Sequence, residues 1–343
     1  MLPALHRLAD DVFAAVLLGD PLYVDGFGDE RALSAIVDAV RIGKPQVPID
    51  NLQIVWEESP TCVHEARVRH GRFDSPAATL LPAESRVGQV ELLTPGALSE
   101  SARPPVVLVL AATAEVGYAR RRRLILPLVH HGIAALLLEN PYYGPRRPAD
   151  QRGTALRTVR DQFAMNLATV YEATALLHWL RRQGYEHTAI SGYSQGGFMA
   201  AFAAVVTELP VAAVPLAAGS AALPVFTQGG LSRGIAWKTL AAQAGSLEAA
   251  HGRLCALLAE VDLKRFPAPQ RADAAVLVAA RHDRFVSAAE AEALHAHWPG
   301  SELRWREGSH VTEALFGQTA QRLAIGTALD RLRAQQPTGR QTA

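Results

Sequence analysis

The sequence predicts an α/β fold with a mostly parallel central sheet and helices on both faces. Short apolar runs such as VVLVL (106–110) and IAALLL (133–138) are typical of strands that are buried on both faces of a parallel sheet. Helical patterns separate these runs, and this alternation builds an open sheet covered on both sides. The chain has 343 residues, of which 49% are apolar, so it can bury a sizeable core.

Residues 1–60 are expected to form an N-terminal helical extension. Asp10 and Asp11 interrupt the apolar stretch within the first twenty residues, which indicates an amphipathic helix and not a signal peptide. No apolar run reaches the roughly 18 residues that a membrane-spanning helix needs. Cys62 and Cys255 lie far apart in the sequence and are expected to be buried thiols in a reducing compartment. We therefore expect a cytoplasmic protein without a transmembrane segment.

Residues 61–333 are expected to form the main domain. The first segments, CVHEARVRH (62–70) and VGQVELL (87–93), alternate apolar and polar residues as half-buried antiparallel strands do. The helical periodicity between about Gly153 and Gln183 predicts a long helix. The buried parallel strands are expected at VVLVL, IAALLL, HTAIS (187–191), VAAVPLA (211–217) and AVLVAA (275–280).

A long insertion, at about 219–270, separates the fourth and fifth of these parallel strands. Its helix-like patches predict a helical cap, because insertions of this size are often placed over a pocket. The polar tail at 334–343 is expected to be disordered. The main domain therefore carries a cap insertion and is flanked by the N-terminal extension and this tail.

A strand-to-helix turn carries the motif with the clearest chemistry. HTAIS is followed by Gly192-Tyr193-Ser194-Gln195-Gly196-Gly197 and then by the helical run FMAAFAAVV. This is the G-x-S-x-G arrangement, in which the serine lies on a strained turn that exposes its hydroxyl above the sheet. A helix N-terminus at Ser194 also favours the negative charge that develops in acyl transfer. Ser194 is therefore the candidate nucleophile.

A serine hydroxyl needs a base and an orienting acid, which follow the serine in the order acid, histidine in this type of site. Asp283 follows the strand AVLVAA, and His310 follows the expected last strand ELRWRE. His282 precedes the acid, Asp262 lies in the insertion and Asp273 comes before a strand, so these residues fit the pattern less well. Asp283 and His310 are the candidate acid and base, with an ordinary loop role as the alternative for each.

The oxyanion formed during acyl transfer requires two backbone donors. One is the amide after the nucleophile, which belongs to Gln195. The other is expected from the loop after VVLVL, Ala111 to Glu115, where Thr113 is the candidate and an ordinary loop threonine is the alternative.

Several longer strings in the sequence are more specific than the serine motif alone. They are HGRFDSP (70–76), LLLENPYYG (136–144), LLHWLRRQGY (176–185), GYSQGG (192–197), VFTQGGLSRGIAW (225–237) and WPGSELRWREGSHVTEALF (298–316). With these strings the sequence resembles the alpha/beta-hydrolase domain-containing protein 18 family. The resemblance implies an α/β-hydrolase fold, a serine hydrolase with Ser194, Asp283 and His310 at the family's positions, and phospholipid deacylation, for example of cardiolipin, as an associated activity. The loop after VVLVL departs from the family's glycine-rich pattern at Ala112 and Ala114.

Three further features have a functional and a structural interpretation. Tyr142 and Tyr143 follow a buried strand, so they either line the pocket at the carboxyl edge of the sheet or pack within their loop. The basic run 120–123 could bind an anionic group, but such runs are more often solvated helix faces. Phe226 and Trp237 in the insertion could form an apolar acyl site or the core of the cap.

The composition and motifs exclude several classes of function. A formal net charge of +1 provides no field for holding a nucleic acid. No HExxH, paired CxxC or phosphate-binding loop occurs, so we expect neither a metal ion nor another cofactor. The expected partner is a small-molecule or lipid ester, with peripheral membrane contact left open. The prediction is a serine hydrolase of acyl esters; the alternatives are a non-catalytic binding module of the same fold and an acyltransferase or thioesterase with the same triad.

Overall fold

The structure is a computed structural model and describes residues 6, 8–13, 20–45, 49–58, 60–99 and 101–334. In this part of the chain, ten strands form one mixed sheet. The strands are β1 (Val55–Trp56), β2 (Thr61–Val63), β3 (Ala66–Asp74), β4 (Val87–Pro95), β5 (Val106–Leu110), β6 (Ala134–Leu138), β7 (Thr188–Tyr193), β8 (Ala212–Leu216), β9 (Val276–Ala280) and β10 (Glu302–Arg306). Their order is β1-β3-β4-β6-β5-β7-β8-β9-β10, with β2 paired to β3.

The parallel part of the sheet runs from β6 to β10, and it confirms the α/β fold that the sequence predicts. All five apolar runs form strands, and every residue of β5 and β6 is buried. Leu108 of β5 is paired with Leu136 on one side and Ile190 on the other. The chain winds outward in both directions from β5, so the connections that follow β5 and β7 meet at one edge, where open α/β sheets bind ligands.

The antiparallel part differs from the expectation at its first strand. CVHEARVRH is not one strand, because His64 and Glu65 adopt φ values of 44° and 65° and form a turn between β2 and β3. The pairing of β3 with β4 along their whole lengths is antiparallel, as expected. Cys62 lies on β2 and is exposed, so its expected burial is wrong. The outlying strand β2 leaves this side chain uncovered.

Helices cover both faces of the sheet. The long helix begins at Val159 and not near Gly153, because the Thr158 side chain caps its first turn by accepting from the Asp161 N–H at 3.0 Å. The helices are α1 (Glu30–Ile42), α2 (Ala119–His130), α3 (Val159–Arg182), α4 (Gln195–Val206), α5 (Leu223–Thr227), α6 (Trp237–Ala244), α7 (Leu247–Ala259), α8 (Ala288–His297), α9 (His310–Phe316) and α10 (Gln318–Ala334).

Two apolar cores lie on opposite faces of the sheet. The larger core contains the buried side chains of α3 and α4, whereas the smaller one contains those of α2 and α10. Helix α3 is buried on most of its circumference, which suits a helix enclosed between the sheet and α1. This arrangement leaves the carboxyl edge of the parallel strands free for the loops that carry the candidate site.

The regions expected as an extension, an insertion and a tail contain mostly helices in the part of the chain that the structure describes. Residues 8–13 are helical, and residues 20–58 contain α1 and also β1, which pairs with β3. The expectation of helix for the extension is therefore incomplete. The insertion contains α5, α6 and α7. Helix α10 includes Ala334, and the rest of the expected tail, 335–343, lies outside the described residues.

Candidate active site

Ser194 occupies the turn between β7 and α4 in a strained conformation. Its φ of 55° and ψ of −118° are unfavourable for a residue with a Cβ atom. The Ser194 N–H donates to the Leu216 carbonyl at 2.8 Å, which fixes the turn. A Cβ atom on Gly192 would lie 2.4 Å from the carbonyl carbon of Gly196, and one on Gly196 would lie 2.5 Å from the Leu110 oxygen. Both glycines of the motif are therefore required by the close approach of backbone segments.

The candidate base and acid are in contact. His310 is the first residue of α9, and its Nδ1 lies 2.7 Å from Oδ2 of Asp283 in the loop after β9. The two side chains are only 7% and 1% exposed. The other Asp283 oxygen accepts from the N–H groups of Phe285 at 2.7 Å and Val286 at 2.8 Å. This arrangement suits an Nδ1–H donor, which leaves the lone pair on Nε2.

Tyr193, the residue before the serine, connects the turn to the loop of the histidine. Its hydroxyl donates to the His310 carbonyl oxygen at 2.5 Å, and the two rings lie 5.3 Å apart. Burial, with a further contribution from the Asp283 charge, raises the pKa of Tyr193 well above its usual value. The hydroxyl therefore stays protonated and can hold the backbone of His310.

Thr113 and Gln195 are also brought together. The Thr113 hydroxyl donates to Oε1 of Gln195 at 3.1 Å, and Nε2 of Gln195 donates to Oδ1 of Asn166 at 2.8 Å. Asn166 also accepts from Nε2 of Gln162 at 3.1 Å. The chain of hydrogen bonds connects the loop after β5 with the first turn of α4. The two segments expected to supply the oxyanion donors are thus joined through side chains.

A buried arginine supports the loop after β5. Arg121 is 4% exposed and donates from Nε to Oε1 of Glu115 at 2.9 Å, while Oε2 of Glu115 accepts from the Ala112 N–H at 3.1 Å. Ala114, in the same loop, takes a φ of 61°, which is unfavourable for a residue with a Cβ atom. The hydrogen bonds of Glu115 hold the loop that contains this unfavourable conformation.

The interpretation of residues 120–123 as a solvated helix face is wrong for Arg121. Its guanidinium also donates to Oε2 of Glu139 at 3.3 Å. Burial raises the pKa of Glu139, although the Gly117 N–H and Arg121 oppose this shift. Arg120 lies with its guanidinium 5.0 Å from the centre of the Tyr193 ring and faces the cavity described below.

Ser194 and His310 line a cavity of about 370 Å³ at the carboxyl edge of the sheet. Thr113, Gln195 and Asn166 form part of its polar wall. Most of the remaining lining is apolar, and Arg120 is the one permanently charged side chain among the described residues that line it. The apolar lining includes Phe13, Leu22, Leu156, Phe198, Met199, Val225, Phe226, Leu231, Phe285, Val286, Val311 and Leu315.

The structure distinguishes the aromatic residues that line the cavity from those that do not. Tyr143 lines the cavity, and burial raises its pKa to about 12. Tyr142 does not line the cavity; its buried hydroxyl donates to Oδ1 of Asp161, in the first turn of α3, at 3.2 Å. Phe226 of the insertion lines the cavity, whereas Trp237 donates from its indole to the Ser232 carbonyl at 2.9 Å. One residue of each pair therefore contributes to the cavity.

The competing acid and base candidates lie elsewhere. His282 stacks on His6 with ring centres 6.0 Å apart. Asp262 accepts from the Lys264 N–H at 2.9 Å, and Asp273 is paired with Arg271 at 2.8 Å. No histidine other than His310 lines the cavity in the ranges that the structure describes.

No group of three or more His, Cys, Asp or Glu side chains within the described residues could hold a metal ion. None of the helices described is sufficiently long and apolar to span a bilayer.

Sequence reasoning missed Asn166 and Arg121 and did not assign a role to Tyr193. Tyr193 could have been found, because it lies inside the serine motif. Asn166 is a polar residue between apolar neighbours in the long helix (FAMNLA, 163–168), which is a weak signal. Arg121 stands in a run of four arginines, and nothing in the sequence distinguishes it from its neighbours.

The fold is similar to those of several solved hydrolases. An acetyl xylan esterase from Paenibacillus sp. R4 matches with a TM-score of 0.57 at 15% identity, covering 89% of this chain and 97% of that chain. Acetyl xylan esterase 1 from Thermoanaerobacterium sp. JW/SL YS485 matches with a TM-score of 0.55 at 12% identity, covering 92% and 97%. An acylaminoacyl peptidase from Pyrococcus horikoshii matches with a TM-score of 0.52 at 12% identity, covering 82% of this chain and 44% of that one.

These structural similarities establish the α/β-hydrolase fold, while a family model identifies the chain more narrowly. The model of the family described as alpha/beta hydrolase domain containing 18 matches residues 20–251 and 243–331. Family and fold together support a hydrolase function. Because the two matched segments extend through the sheet, the insertion and the loops of the candidate site, the chain belongs to the alpha/beta hydrolase domain containing 18 family.

Proposed function

We propose that the protein is a serine hydrolase that cleaves acyl esters with Ser194, His310 and Asp283. The observation that carries this proposal is the contact of 2.7 Å between His310 Nδ1 and Asp283 Oδ2, beside a cavity that both His310 and Ser194 line. A base oriented by a buried carboxylate is the arrangement that activates a serine hydroxyl. The strained turn at Ser194 adds to this support, because strain of this kind is concentrated at functional sites.

In the proposed reaction, Nε2 of His310 accepts the proton of Ser194 while Oγ attacks the acyl carbonyl carbon. Asp283 stabilises the imidazolium, and the backbone N–H groups of Gln195 and Thr113 donate to the oxyanion. The tetrahedral intermediate collapses as the imidazolium returns the proton to the leaving alcohol, and an acyl-enzyme remains. Water then attacks with the same base, which releases the acid and restores Ser194.

The lining of the cavity supports a substrate with an apolar acyl chain. Phe226, Phe198 and Met199 offer apolar contacts, and Arg120 offers a charge to an anionic group. A lipid or phospholipid ester combines both features, so we propose this substrate class. Two of the similar structures are described as acetyl xylan esterases and a third as an acylaminoacyl peptidase, so the choice of an ester depends on the lining of the cavity and not on the comparisons. A cytoplasmic location, with peripheral contact to a membrane, would suit such a substrate.

The test is covalent labelling with a fluorophosphonate probe, together with hydrolysis of p-nitrophenyl esters. Wild type should be labelled and active, whereas Ser194→Ala should lose the label and lower kcat by on the order of 10⁴-fold or more. The matched control is Ser99→Ala, since Ser99 is an exposed serine that does not line the cavity.

Three outcomes would contradict the proposal. An unreactive Ser194 combined with tight binding of an ester that is not cleaved would indicate a binding module of hydrolase fold. Transfer of the acyl group to an added alcohol, in preference to water, would indicate an acyltransferase. Equal labelling of wild type and Ser194→Ala would assign the reactive nucleophile to another residue.

A further inference from the structure

The helical segment at residues 8–13 contacts the loop that contains Asp283 and the start of α9, which carries His310. Both of these regions lie far from the segment in the sequence. Asp10 in this segment is 1% exposed. Its Oδ2 accepts from the Arg284 N–H at 3.0 Å and from the His310 N–H at 3.2 Å, while Oδ1 accepts from the Val311 N–H at 2.9 Å. A buried carboxylate is tolerated only when it is compensated in this way.

The three N–H donors belong to two different segments of the chain, the loop after β9 and the first turn of α9. Arg284 follows Asp283 directly, and its N–H fixes the backbone beside the acid. His310 and Val311 begin α9, so their N–H groups fix the backbone of the base. One carboxylate therefore joins the two chain segments whose side chains meet in the 2.7 Å contact between Asp283 and His310.

Other side chains attach the same segment on both sides of Asp10. Nδ1 of His6 lies 3.1 Å from Oγ1 of Thr312, and the His6 ring stacks on His282. Phe13 lines the cavity, and its ring centre lies 6.2 Å from that of Phe285. These contacts place His6 and Phe13, on either side of Asp10, against the loop of Asp283 or the first turn of α9.

We propose that Asp10 is a positioning residue. It fixes the loop of Asp283, the acid loop, relative to the first turn of α9, which carries His310. This inference depends on the proposed function for its catalytic consequence. Asp10 acts through Asp283 and His310 and does not itself line the cavity. Its loss should therefore lower kcat far more than it changes KM, because the bound substrate keeps its contacts while the base loses its fixed orientation.

The primary variant is Asp10→Asn, which keeps the size of the side chain and one acceptor oxygen. We expect kcat per folded molecule to fall by about tenfold to a hundredfold, with KM changed by less than about threefold. The kcat of Asp10→Ala should fall further than that of Asp10→Asn, because asparagine keeps one acceptor oxygen and alanine keeps none. If Asp10→Ala does not fold, Asp10→Asn carries the test.

The matched control is Asp11→Asn. Asp11 is the next residue and pairs with Nε of Arg284 at 3.4 Å, but both side chains are more than 40% exposed. Its substitution should change kcat by less than about twofold, because exposed ion pairs contribute little. A fall in kcat equal to that of Asp10→Asn would show that any contact with this loop has the same effect and would overturn the inference.

Hydrogen exchange provides a readout that does not need activity. In Asp10→Asn, the N–H groups of Arg284, His310 and Val311 should exchange faster together, whereas those of β5 should not change. The inference would be overturned if these N–H groups exchanged at the wild-type rate in Asp10→Asn. It would also be overturned if the wild type were active and Asp10→Asn had the same kcat. A wild type that is neither labelled nor active would contradict the proposed function instead, and the exchange measurement would still decide the role of Asp10.

Discussion

At the scale of single residues, the buried charges around the loop after β5 do more than neutralise one another. Arg121 satisfies Glu115 and Glu139, and its guanidinium also donates to the carbonyl oxygens of Val109 at 3.2 Å and Leu138 at 2.5 Å. These carbonyls lie in β5 and β6, so one side chain connects the sheet edge to the loop that contains Thr113. Stability and the geometry of the proposed oxyanion site therefore depend on the same residue.

We predict that Arg121→Met destabilises the protein by about 3–5 kcal/mol, because it removes the buried cation that the carboxylates of Glu115 and Glu139 share. The free energy of unfolding in urea measures this loss. Arg123→Met is the control, since Arg123 lies two positions along the same helix and is exposed; it should change stability by less than about 0.5 kcal/mol. Equal losses for the two variants would contradict the proposed role of Arg121.

Some functional residues can be predicted from the sequence because a recognisable motif surrounds them. Others cannot, because their hydrogen-bond partners are backbone groups far away in the sequence. Ser194, with Asp283 and His310 after it, follows the order along the chain that is typical of sites of this type, and the structure brings the acid and base into contact. Asp10 and Arg121 gain their roles only from distant backbone groups. Nothing in the local pattern identifies those groups, so sequence alone assigned Asp10 to an amphipathic helix and Arg121 to a basic run.

At the scale of elements, the five apolar strands of the parallel part, β5 to β9, were predicted within one or two residues, because burial on both faces gives continuous apolar runs. The start of α3 was predicted less well. Helical periodicity extends before Thr158, and the local hydrogen bond of that threonine decides where the helix begins. The turn at His64 and Glu65 was missed since neither residue is a usual turn residue.

The last strand and last helix are joined by a cluster of charges. Glu302 of β10 accepts from Nε of Arg304 at 2.7 Å and is also paired with Arg331 of α10. The hydrogen bond from Arg304 is the main cause that lowers the pKa of Glu302 below its ordinary 4.5. Because the pKa is lower in the folded protein than in the unfolded chain, the stability from this cluster is present above the unfolded value and is lost as the pH falls through the folded one.

We predict that Glu302→Gln lowers the free energy of unfolding by about 1 kcal/mol or less at pH 7 and that this difference shrinks toward zero near pH 3. Urea unfolding at both pH values measures it. Glu292→Gln, on the exposed side of α8, should show no such pH-dependent difference. A deficit in Glu302→Gln that grows as the pH falls would contradict the sign of this prediction.

At the scale of the whole molecule, distant parts of the chain contribute phenylalanine side chains to the cavity. Phe13 comes from the N-terminal segment, Phe198 from α4 and Phe226 from the insertion. The sequence predicted an insertion near a pocket but could not predict which of its aromatic residues would line the pocket, because that depends on how the insertion packs. The expected division of the chain into an extension, a main domain and a tail remains a prediction.

We predict that kcat/KM rises with acyl chain length by up to about fourfold for each methylene until the cavity is filled, the value expected for burial of a methylene group. A series of p-nitrophenyl esters measures this dependence. Phe226→Trp should shorten the optimal chain, because the larger ring occupies part of the same space. An optimum at acetate in wild type would show that the acyl chain does not enter this cavity.

The contacts of Asp10 also bear on when the molecule becomes complete during its synthesis. Its partners, Arg284, His310 and Val311, leave the ribosome about 300 residues later, on the order of 15–60 s at usual rates of translation. Throughout that interval the carboxylate can be hydrated by water, and the segment has nothing to dock against. The nascent chain can form the central strands first, so attachment of the earliest residues should be among the last events of maturation.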